Sequence, residues 1–241
     1  MASLRLSSVL VTGSNRGLGL EFIRQLLQLP HPPQMLFATC RNPSGAQELQ
    51  KLAAQHSNVR ILPLDQLKGL GLNLLINNAG RAFSDSIHTE SEENMHVLYQ
   101  IHVSSNLKIC QTFLPLLKKA AQTGPQDALS CSRAAIINMS STAGSISELL
   151  GWELGPCLSY RCSKAALNML TRCLGLALKK EGILCVAIHP GWVQTDMGTS
   201  STFKPPLKKE ESVQGMLKVF STLSEENSGG FYSWEGKTLS W

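Results

Sequence analysis

A glycine-rich turn at residues 13–19 constrains the fold of this chain more than any other stretch. A short apolar run at 9–11 precedes the turn, and an apolar-periodic helix pattern with Phe22, Ile23 and Leu26 on one side follows it. A strand, a glycine-rich turn and a helix in this order are typical of dinucleotide binding, although an ordinary strand-to-helix connection also fits the turn taken alone. Glycine lets the backbone approach a pyrophosphate, and the helix amino terminus offers it free N–H groups. The candidate phosphate contacts are therefore Gly13, Ser14, Asn15, Arg16, Gly17, Leu18 and Gly19.

The end of the second predicted strand, at 35–39, indicates which nicotinamide cofactor the chain prefers. In a dinucleotide fold this position meets the adenosine ribose, where an acidic residue binds the free hydroxyl of NAD. No Asp or Glu occurs between residues 35 and 42, whereas Arg41 lies there and Arg16 lies in the glycine-rich turn. Two guanidinium groups can bind a phosphate through paired hydrogen bonds, so the sequence favours NADP(H) over NAD(H). The alternative is that both arginines are ordinary surface charges.

Length, charge and cysteine content exclude several classes of protein. A chain of 241 residues suits one α/β domain, so we expect a single domain over 1–241. The net charge of +5 is spread over isolated lysine pairs, which gives no support to a nucleic-acid partner. Seven cysteines without a Cys-x-x-Cys pattern are typical of reduced thiols in a cytoplasmic protein and indicate neither a disulfide scaffold nor a metal site. No secretory signal or run of transmembrane length occurs, so we expect no membrane partner.

Four later segments follow the glycine-rich turn in a characteristic order. They are Asn77-Asn78-Ala79-Gly80, Ser140-Ser141, Tyr160-Arg161-Cys162-Ser163-Lys164 and Pro190-Gly191-Trp192-Val193-Gln194-Thr195. Together with the turn they resemble the short-chain dehydrogenase/reductase family, and within it the carbonyl-reductase, sniffer and C-factor-like group. The resemblance covers nearly the whole chain. It implies an α/β, doubly wound Rossmann fold with a mostly parallel sheet in the order 3-2-1-4-5-6-7, and a possible homodimer through helices 91–119 and 158–180.

The same resemblance implies which groups react. Ser141, Tyr160 and Lys164 match the family's catalytic positions, and Tyr160 and Lys164 share a face of the predicted helix because they are four residues apart. A phenol has a pKa of about 10, and a lysine ammonium beside it is expected to lower that value. Ser141 would donate a hydrogen bond to the substrate oxygen. The cofactor contacts that the family implies are Asp65, Asn78, Ala79, Gly80, Tyr160, Lys164, Pro190, Gly191, Val193 and Thr195.

One position departs from the family pattern. The family carries a catalytic Asn on helix 91–119, upstream of a proline, and the corresponding position counted back from Pro115 is His102. Asn106 lies one helical turn further on, on the same face. Either His102 replaces the family's catalytic Asn, or that role has shifted to Asn106, or His102 is an ordinary helix residue.

The connection after the third predicted strand, at 59–64, is unusually short. Asp65 is followed only by residues 66–71 before the next strand begins at 72, whereas a parallel crossover takes about a dozen residues, usually a helix. Six or seven extended residues reach at most ~24 Å, and the straight path between the two strands is already ~22 Å. The crossover helix is therefore missing, and either the third strand is displaced or one face of the sheet near strands one and four is open. The gap indicates a shortened form of a longer protein.

Two segments are expected to border the substrate. Residues 147–156 lengthen the interval between Ser141 and Tyr160, and Leu149 and Trp152 would make the substrate mouth apolar. The region 198–223 is predicted as a mobile lid rich in Ser, Thr, Pro and Lys, followed by a helix over 212–223.

The sequence therefore predicts an NADPH-dependent reductase that converts a small-molecule carbonyl substrate (ketone, aldehyde or quinone) to an alcohol, with Tyr160 as the proton donor. The alternative is a catalytically impaired, shortened isoform that acts as a nucleotide- or partner-binding protein. The matching Ser141, Tyr160 and Lys164 favour the enzyme, and the gap after Asp65 favours the alternative.

Overall fold

Seven short apolar runs form one parallel sheet. The computed structural model describes residues 4–62, 71–123, 128–199 and 204–241. Every strand pairing is parallel, and the predicted Rossmann-type sheet with the order β3-β2-β1-β4-β5-β6-β7 is confirmed. The strands are β1 (Ser8–Thr12), β2 (Met35–Thr39), β3 (Val59–Leu62), β4 (Leu74–Asn77), β5 (Ala135–Met139), β6 (Leu184–His189) and β7 (Phe231–Ser233).

Six α-helices in the described ranges cover the sheet. They are α1 (Gly17–Leu27), α2 (Gln47–Gln55), α3 (Glu92–Tyr99), α4 (Ser105–Thr123), α5 (Leu158–Leu178) and α6 (Lys209–Phe220). The predicted helix 91–119 is thus two helices, α3 and α4, joined by a π-helical segment, Gln100–Ser104. Pro115 lies inside α4, which continues to Thr123.

Alternation along the strands divides the core into two clusters, one on each face of the sheet. Val9 and Val11 of β1 point to the face that helices α1, α2 and α6 cover. Leu10, between them, points to the opposite face and joins a cluster that α4 and α5 line. Because successive residues of a strand face opposite ways, a strand that is apolar throughout must be buried on both sides.

The short connection after β3 leaves the sheet order intact. β3 pairs with β2 from Leu36–Val59 to Thr39–Leu62, so the alternative of a displaced third strand is wrong. On β1 and β4, Leu10 and Leu75 are fully buried against the cluster that includes α4. The connection itself, 63–70 with Asp65, lies outside the described residues, so the loss of the crossover helix stays a prediction.

The structure describes the predicted lid up to residue 199 and again from residue 204. Leu207 forms a parallel bridge with Val193, which ties the later part of the lid to the chain after β6. Helix α6 begins at Lys209, three residues earlier than predicted, and Glu210 and Glu211 in its first turn complement the positive end of the helix dipole. None of the helices in the described ranges has the length and apolar character that crossing a bilayer requires.

Candidate active site

The ends of β1 and β4 are joined by a network of hydrogen bonds. The Thr12 hydroxyl oxygen accepts the backbone N–H groups of Asn78 and Ala79, each at 3.0 Å. The Asn78 side-chain amide donates to the Thr12 carbonyl oxygen at 2.8 Å. A Cβ atom at Gly19 would overlap the Gly13 carbonyl oxygen, so glycine allows α1 to start this close to the turn. The two turns therefore form one rigid floor.

The glycine-rich turn has the backbone shape that dinucleotide phosphates need. Gly13 and Gly17 adopt φ angles of 68° and 57°, in the left-handed region. The Ser14 N–H donates to the Thr39 carbonyl oxygen at 3.0 Å, and the Ser14 hydroxyl donates to the Val11 carbonyl oxygen at 2.7 Å. The turn thus closes over the ends of β1 and β2, directly before α1, whose first N–H groups have no partner within the helix. These features fit the binding of a pyrophosphate.

The two predicted phosphate-binding arginines have different surroundings. Arg16 forms an ion pair with Asp196, which follows β6, and the two side chains are 70% and 74% exposed. Arg41 is exposed just beyond the end of β2, and no side chain in the described ranges pairs with it. An exposed ion pair contributes little stability, so the pair with Asp196 holds Arg16 only weakly. Binding of a phosphate by Arg16 and Arg41 stays a prediction.

Strand β5 and helix α5 bring the three predicted reacting residues together. The Ser141 hydroxyl oxygen accepts the Ala143 N–H at 3.1 Å, and Ser141 lies near enough to Tyr160 to act on the pKa of its phenol. Lys164 Nζ donates to the Met139 carbonyl oxygen at 2.7 Å and lies 5.6 Å from the centre of the Tyr160 ring. The three side chains therefore meet at the carboxyl end of β5, where open α/β sheets bind their ligands.

Burial shifts the pKa of both titratable groups at this point. Burial of the phenol raises the pKa of Tyr160 to about 12, although the hydrogen bond with Ser141 acts to lower it. Burial lowers the pKa of Lys164 to about 7. The expected lowering of the Tyr160 pKa by Lys164 is therefore wrong. Desolvation of the phenol has the larger effect, and Lys164 is only partly charged near neutral pH. Tyr160 is fully protonated at neutral pH, as a proton donor must be.

His102 is fully buried and uses both ring nitrogens. The Arg81 backbone N–H donates to Nε2 at 3.3 Å, so Nδ1 carries the proton and donates to the Ser163 hydroxyl at 2.9 Å. Ser163 in turn donates to the Tyr160 carbonyl oxygen at 2.8 Å. Burial, with a smaller effect of the Lys164 charge, lowers the pKa of His102 to about 2. His102 is therefore a neutral link between the turn after β4 and helix α5.

His102 lies within a π-helical segment, Gln100–Ser104, and its side chain makes different contacts from that of Asn106. The His102 and Tyr160 rings lie nearly perpendicular to each other, with 5.6 Å between their centres. The Asn106 side-chain amide instead donates to the His102 carbonyl oxygen at 2.9 Å. Of the two candidates, His102 is the one whose side chain contacts Tyr160. Single π-helical turns often occur at functional sites, and the sequence carries no periodicity signal that marks this one.

Glu90 ties the start of α3 to the start of α5. Its Oε1 accepts the Ser91 N–H and its Oε2 accepts the Ser159 N–H, both at 2.9 Å. Ser159 immediately precedes Tyr160, so this carboxylate holds the end of the helix that carries the phenol. Burial alone raises the pKa of Glu90, but hydrogen bonds from Ser159, Ser91 and Asn94 together lower it below its usual value.

We expect Glu90→Gln to lower the free energy of unfolding by about 1 kcal/mol at pH 7, because an uncharged amide oxygen replaces a carboxylate that caps two helices. A lowered folded-state pKa contributes stability above the unfolded pKa, and this contribution is lost as the pH falls through the folded value. The difference between the two proteins should therefore shrink as the pH falls below the usual pKa of a glutamic acid, and it should be absent at an acidic pH where Glu90 is protonated in the folded protein. Urea unfolding of both proteins at the two pH values measures this difference in the free energy of unfolding. Glu93→Gln, an exposed change in the first turn of α3, should have little effect at either pH, and an equal loss in both variants would contradict a specific role of Glu90.

The chain after β6 reaches the other side of the glycine-rich turn. A Cβ atom at Gly17 would lie 3.7 Å from the Thr195 methyl carbon. The Thr195 N–H donates to the Val193 carbonyl oxygen at 2.8 Å, and residues 190–191 connect this loop to β6. The chain after β6 therefore borders the candidate cofactor cleft at Thr195, and cofactor binding by Pro190, Gly191, Val193 and Thr195 stays a prediction.

Sequence reasoning missed several polar residues around this cleft. Asp196 pairs with Arg16, and Glu90 joins two helices. His189 Nδ1 accepts the Thr142 N–H at 3.3 Å, and burial lowers the pKa of His189 to about 4. Only His189 had a sequence signal, because it directly precedes the Pro190-Gly191 motif. Contacts between distant segments carry no such signal.

The face predicted for a homodimer carries exposed apolar side chains. On α3, α4 and α5 they are Met95, Tyr99, Leu107, Met169 and Leu176. Such side chains suit an interface, and the homodimer stays a prediction.

Comparison with known proteins agrees with this geometry. The sequence profile described as short chain dehydrogenase matches residues 65–205, more than half of the chain. The chain belongs to the short-chain dehydrogenase family. This short-chain dehydrogenase is 54% identical to an NADPH-bound carbonyl reductase from chicken fatty liver, with a TM-score of 0.94 over 99% of this chain and 100% of the other.

Two further relatives lie in the group that the sequence indicated. The carbonyl reductase Sniffer of D. melanogaster is 41% identical, with a TM-score of 0.91 over 98% of this chain and 100% of the other. The C-signal protein of Myxococcus xanthus is 32% identical over 171 residues, which are 70% of this chain and 93% of that protein. The predicted family and its carbonyl-reductase, sniffer and C-factor-like group are confirmed.

Proposed function

We propose that this short-chain dehydrogenase is an NADPH-dependent carbonyl reductase that converts a ketone, aldehyde or quinone to an alcohol. The observation that carries the proposal is the meeting of Ser141, Tyr160 and Lys164 beside the glycine-rich turn. The NADPH-bound relative at 54% identity supports the same cofactor here.

The residues around the cleft suit NADPH rather than NADH. The backbone at 13–19 would hold the pyrophosphate through glycine φ angles and the start of α1. Arg41 would meet the phosphate on the adenosine ribose, and Arg16 would join it on leaving Asp196. Residues 35–42 contain no carboxylate that would repel that phosphate.

Each reacting residue has a defined task in this proposal. When bound, NADPH supplies the hydride for the carbonyl carbon. Tyr160 gives its phenolic proton to the carbonyl oxygen, and Ser141 donates a hydrogen bond to the same oxygen. Lys164, whose pKa lies at about 7, can return a proton to the phenolate and hold the nicotinamide ribose.

In this proposal His102 is a positioning residue and does not itself transfer a proton. Its ring, fixed between Arg81 and Ser163, keeps α5 and the turn after β4 at a constant distance. Its pKa of about 2 keeps it neutral, so it adds no positive charge beside Lys164. The family's catalytic Asn is thus replaced by a side chain that aligns Tyr160 without titrating.

A thermal melt of the purified chain tests the cofactor site before any substrate is known. NADPH at about 100 times its dissociation constant should stabilise the folded state by about 2.7 kcal/mol, which is a shift of several degrees. NADH at the same concentration should shift the melting temperature less. A cooperative melt that responds to neither nucleotide would refute the proposed cofactor. NADPH oxidation with a carbonyl compound then tests the reaction.

A further inference from the structure

An apolar segment lies between Ser141 and Tyr160 in the chain. The mouth segment, residues 146–156, begins five residues after Ser141 and ends four residues before Tyr160. Four large apolar side chains are exposed among those of the segment that the structure describes, and exposed apolar groups concentrated in so short a stretch indicate a binding surface. They are Ile146 at 78%, Leu149 at 58%, Leu150 at 54% and Trp152 at 41% exposure.

Arg161 holds the mouth segment from the side of helix α5. Its side chain is 9% exposed, its Nε donates to the Pro156 carbonyl oxygen at 2.8 Å, and its Nη2 donates to the Leu150 carbonyl oxygen at 3.1 Å. The guanidinium also lies over the Trp152 ring, 5.5 Å from its centre. One buried cation therefore fixes two distant points of the segment, and no described carboxylate pairs with it. Such burial is costly unless the carbonyl contacts are kept, so the segment and Arg161 stabilise each other's position.

The end of the chain holds the mouth segment from the opposite side. A backbone oxygen of Trp241 accepts the Ser147 N–H at 2.9 Å and the Ser147 hydroxyl at 2.7 Å. The Ser240 hydroxyl donates to Glu148 at 2.8 Å. The Trp241 ring stacks on Phe231, a buried residue of β7, with 5.6 Å between centres. The segment is thereby attached to the edge of the sheet.

We propose that Arg161 is a positioning residue that determines substrate specificity, because with residues 240–241 it holds the mouth segment as a preformed apolar wall beside Ser141 and Tyr160. The inference rests on the proposed carbonyl reduction. A wall that is already ordered costs no conformational entropy when a ligand binds, so large apolar carbonyl compounds gain its full contact area. A small carbonyl compound, which reaches only the reacting residues, gains nothing from the wall.

Arginine is required for this task by its shape. The planar guanidinium directs N–H groups toward two carbonyl oxygens and a ring face at once, whereas a lysine ammonium is a single point charge. Arg161→Lys therefore keeps the charge and loses the two-point attachment. Arg172→Lys, in the same helix but bonded to Gly229, is the matched control.

The experiment compares kcat/KM for phenanthrenequinone, a large flat quinone, with kcat/KM for diacetyl, a small diketone. Arg161→Lys should lower the value for phenanthrenequinone about tenfold and leave that for diacetyl within about twofold, because only the larger compound contacts the wall. Trp241→Ala, at the other attachment, should shift the ratio in the same direction. Arg172→Lys should change neither. Equal losses on both substrates, or no loss on either, overturn the proposal.

Limited proteolysis separates this inference from the proposed function. Without any substrate, chymotrypsin should cleave at the mouth segment faster in Arg161→Lys than in the wild-type chain or Arg172→Lys. If the wild-type chain reduces neither compound, the proposed reaction is refuted for these two compounds. The cleavage rates alone then test whether Arg161 holds the mouth segment in place. Unchanged cleavage then overturns the role of Arg161 as well.

Discussion

Replacing Tyr160 by phenylalanine should lower kcat/KM for carbonyl reduction by about 100- to 10,000-fold, the range that a positioned general acid contributes. The substitution removes only the hydroxyl, so the ring still packs against the His102 ring and the backbone contact with Ser163 remains. NADPH should therefore bind Tyr160→Phe and raise its melting temperature nearly as in the wild-type chain. Loss of NADPH absorbance in the presence of a carbonyl compound measures the rate.

Tyr99→Phe is the matched control for this variant. Tyr99 lies at the end of α3 with half of its surface exposed, and its loss of a hydroxyl should leave the rate unchanged. Activity of Tyr160→Phe within a few-fold of the wild-type value would mean that another group supplies the proton. A cellular role that survives Tyr160→Phe would favour the nucleotide- or partner-binding alternative over catalysis.

Exchanging Arg41 for aspartate should reverse the cofactor preference. The variant loses a guanidinium at the end of β2 and gains a carboxylate that repels the ribose phosphate, so NADPH affinity should fall about 100-fold. The same carboxylate can accept hydrogen bonds from the free ribose hydroxyl groups of NADH, so NADH affinity should rise. Titration of each nucleotide against the wild-type and variant chains measures both affinities.

Arg5→Asp makes the same charge change at the opposite end of the sheet and is the control for net charge. Arg5 is exposed ahead of β1, and among the described residues its hydrogen bond is the one from its backbone N–H to the Ser132 hydroxyl. Its replacement should leave the preference for NADPH intact. If Arg41→Asp binds NADPH as tightly as the control does, Arg16 alone or another group recognises the phosphate.

The local patterns were sufficient to predict the framework of the cleft. The run 9–11, the glycine-rich turn and the helix after it each carry a signal that depends on neighbours in sequence, and the structure places them as β1, turn and α1. The strand order came instead from the family resemblance, and the structure confirms it. Ser141, Tyr160 and Lys164 were selected by motif, and the structure brings them together.

The surroundings of those residues depend on contacts between distant segments, which local sequence patterns do not predict. The expected lowering of the Tyr160 pKa was wrong because burial, which depends on all surrounding segments, outweighs one neighbouring charge. The contact of His102, rather than Asn106, with Tyr160 was not predictable from α-helical spacing, because a π-helical turn changes the orientation of the residues after it. Pro115 also proved compatible with a helix interior, where an isolated proline would end a helix.

The sequence alone predicted the strands and the glycine-rich turn, because periodicity and spacing are local properties of a chain, and the family resemblance that its motifs carry supplied the sheet order and the candidate reacting side chains. Only the tertiary structure decided that Glu90 caps the helix of Tyr160, that Arg161 and Trp241 hold the mouth segment, and that Lys164 has a lowered pKa. These properties arise when residues far apart in sequence exclude water from one another, since desolvation and long-range hydrogen bonds exist only after the chain has folded.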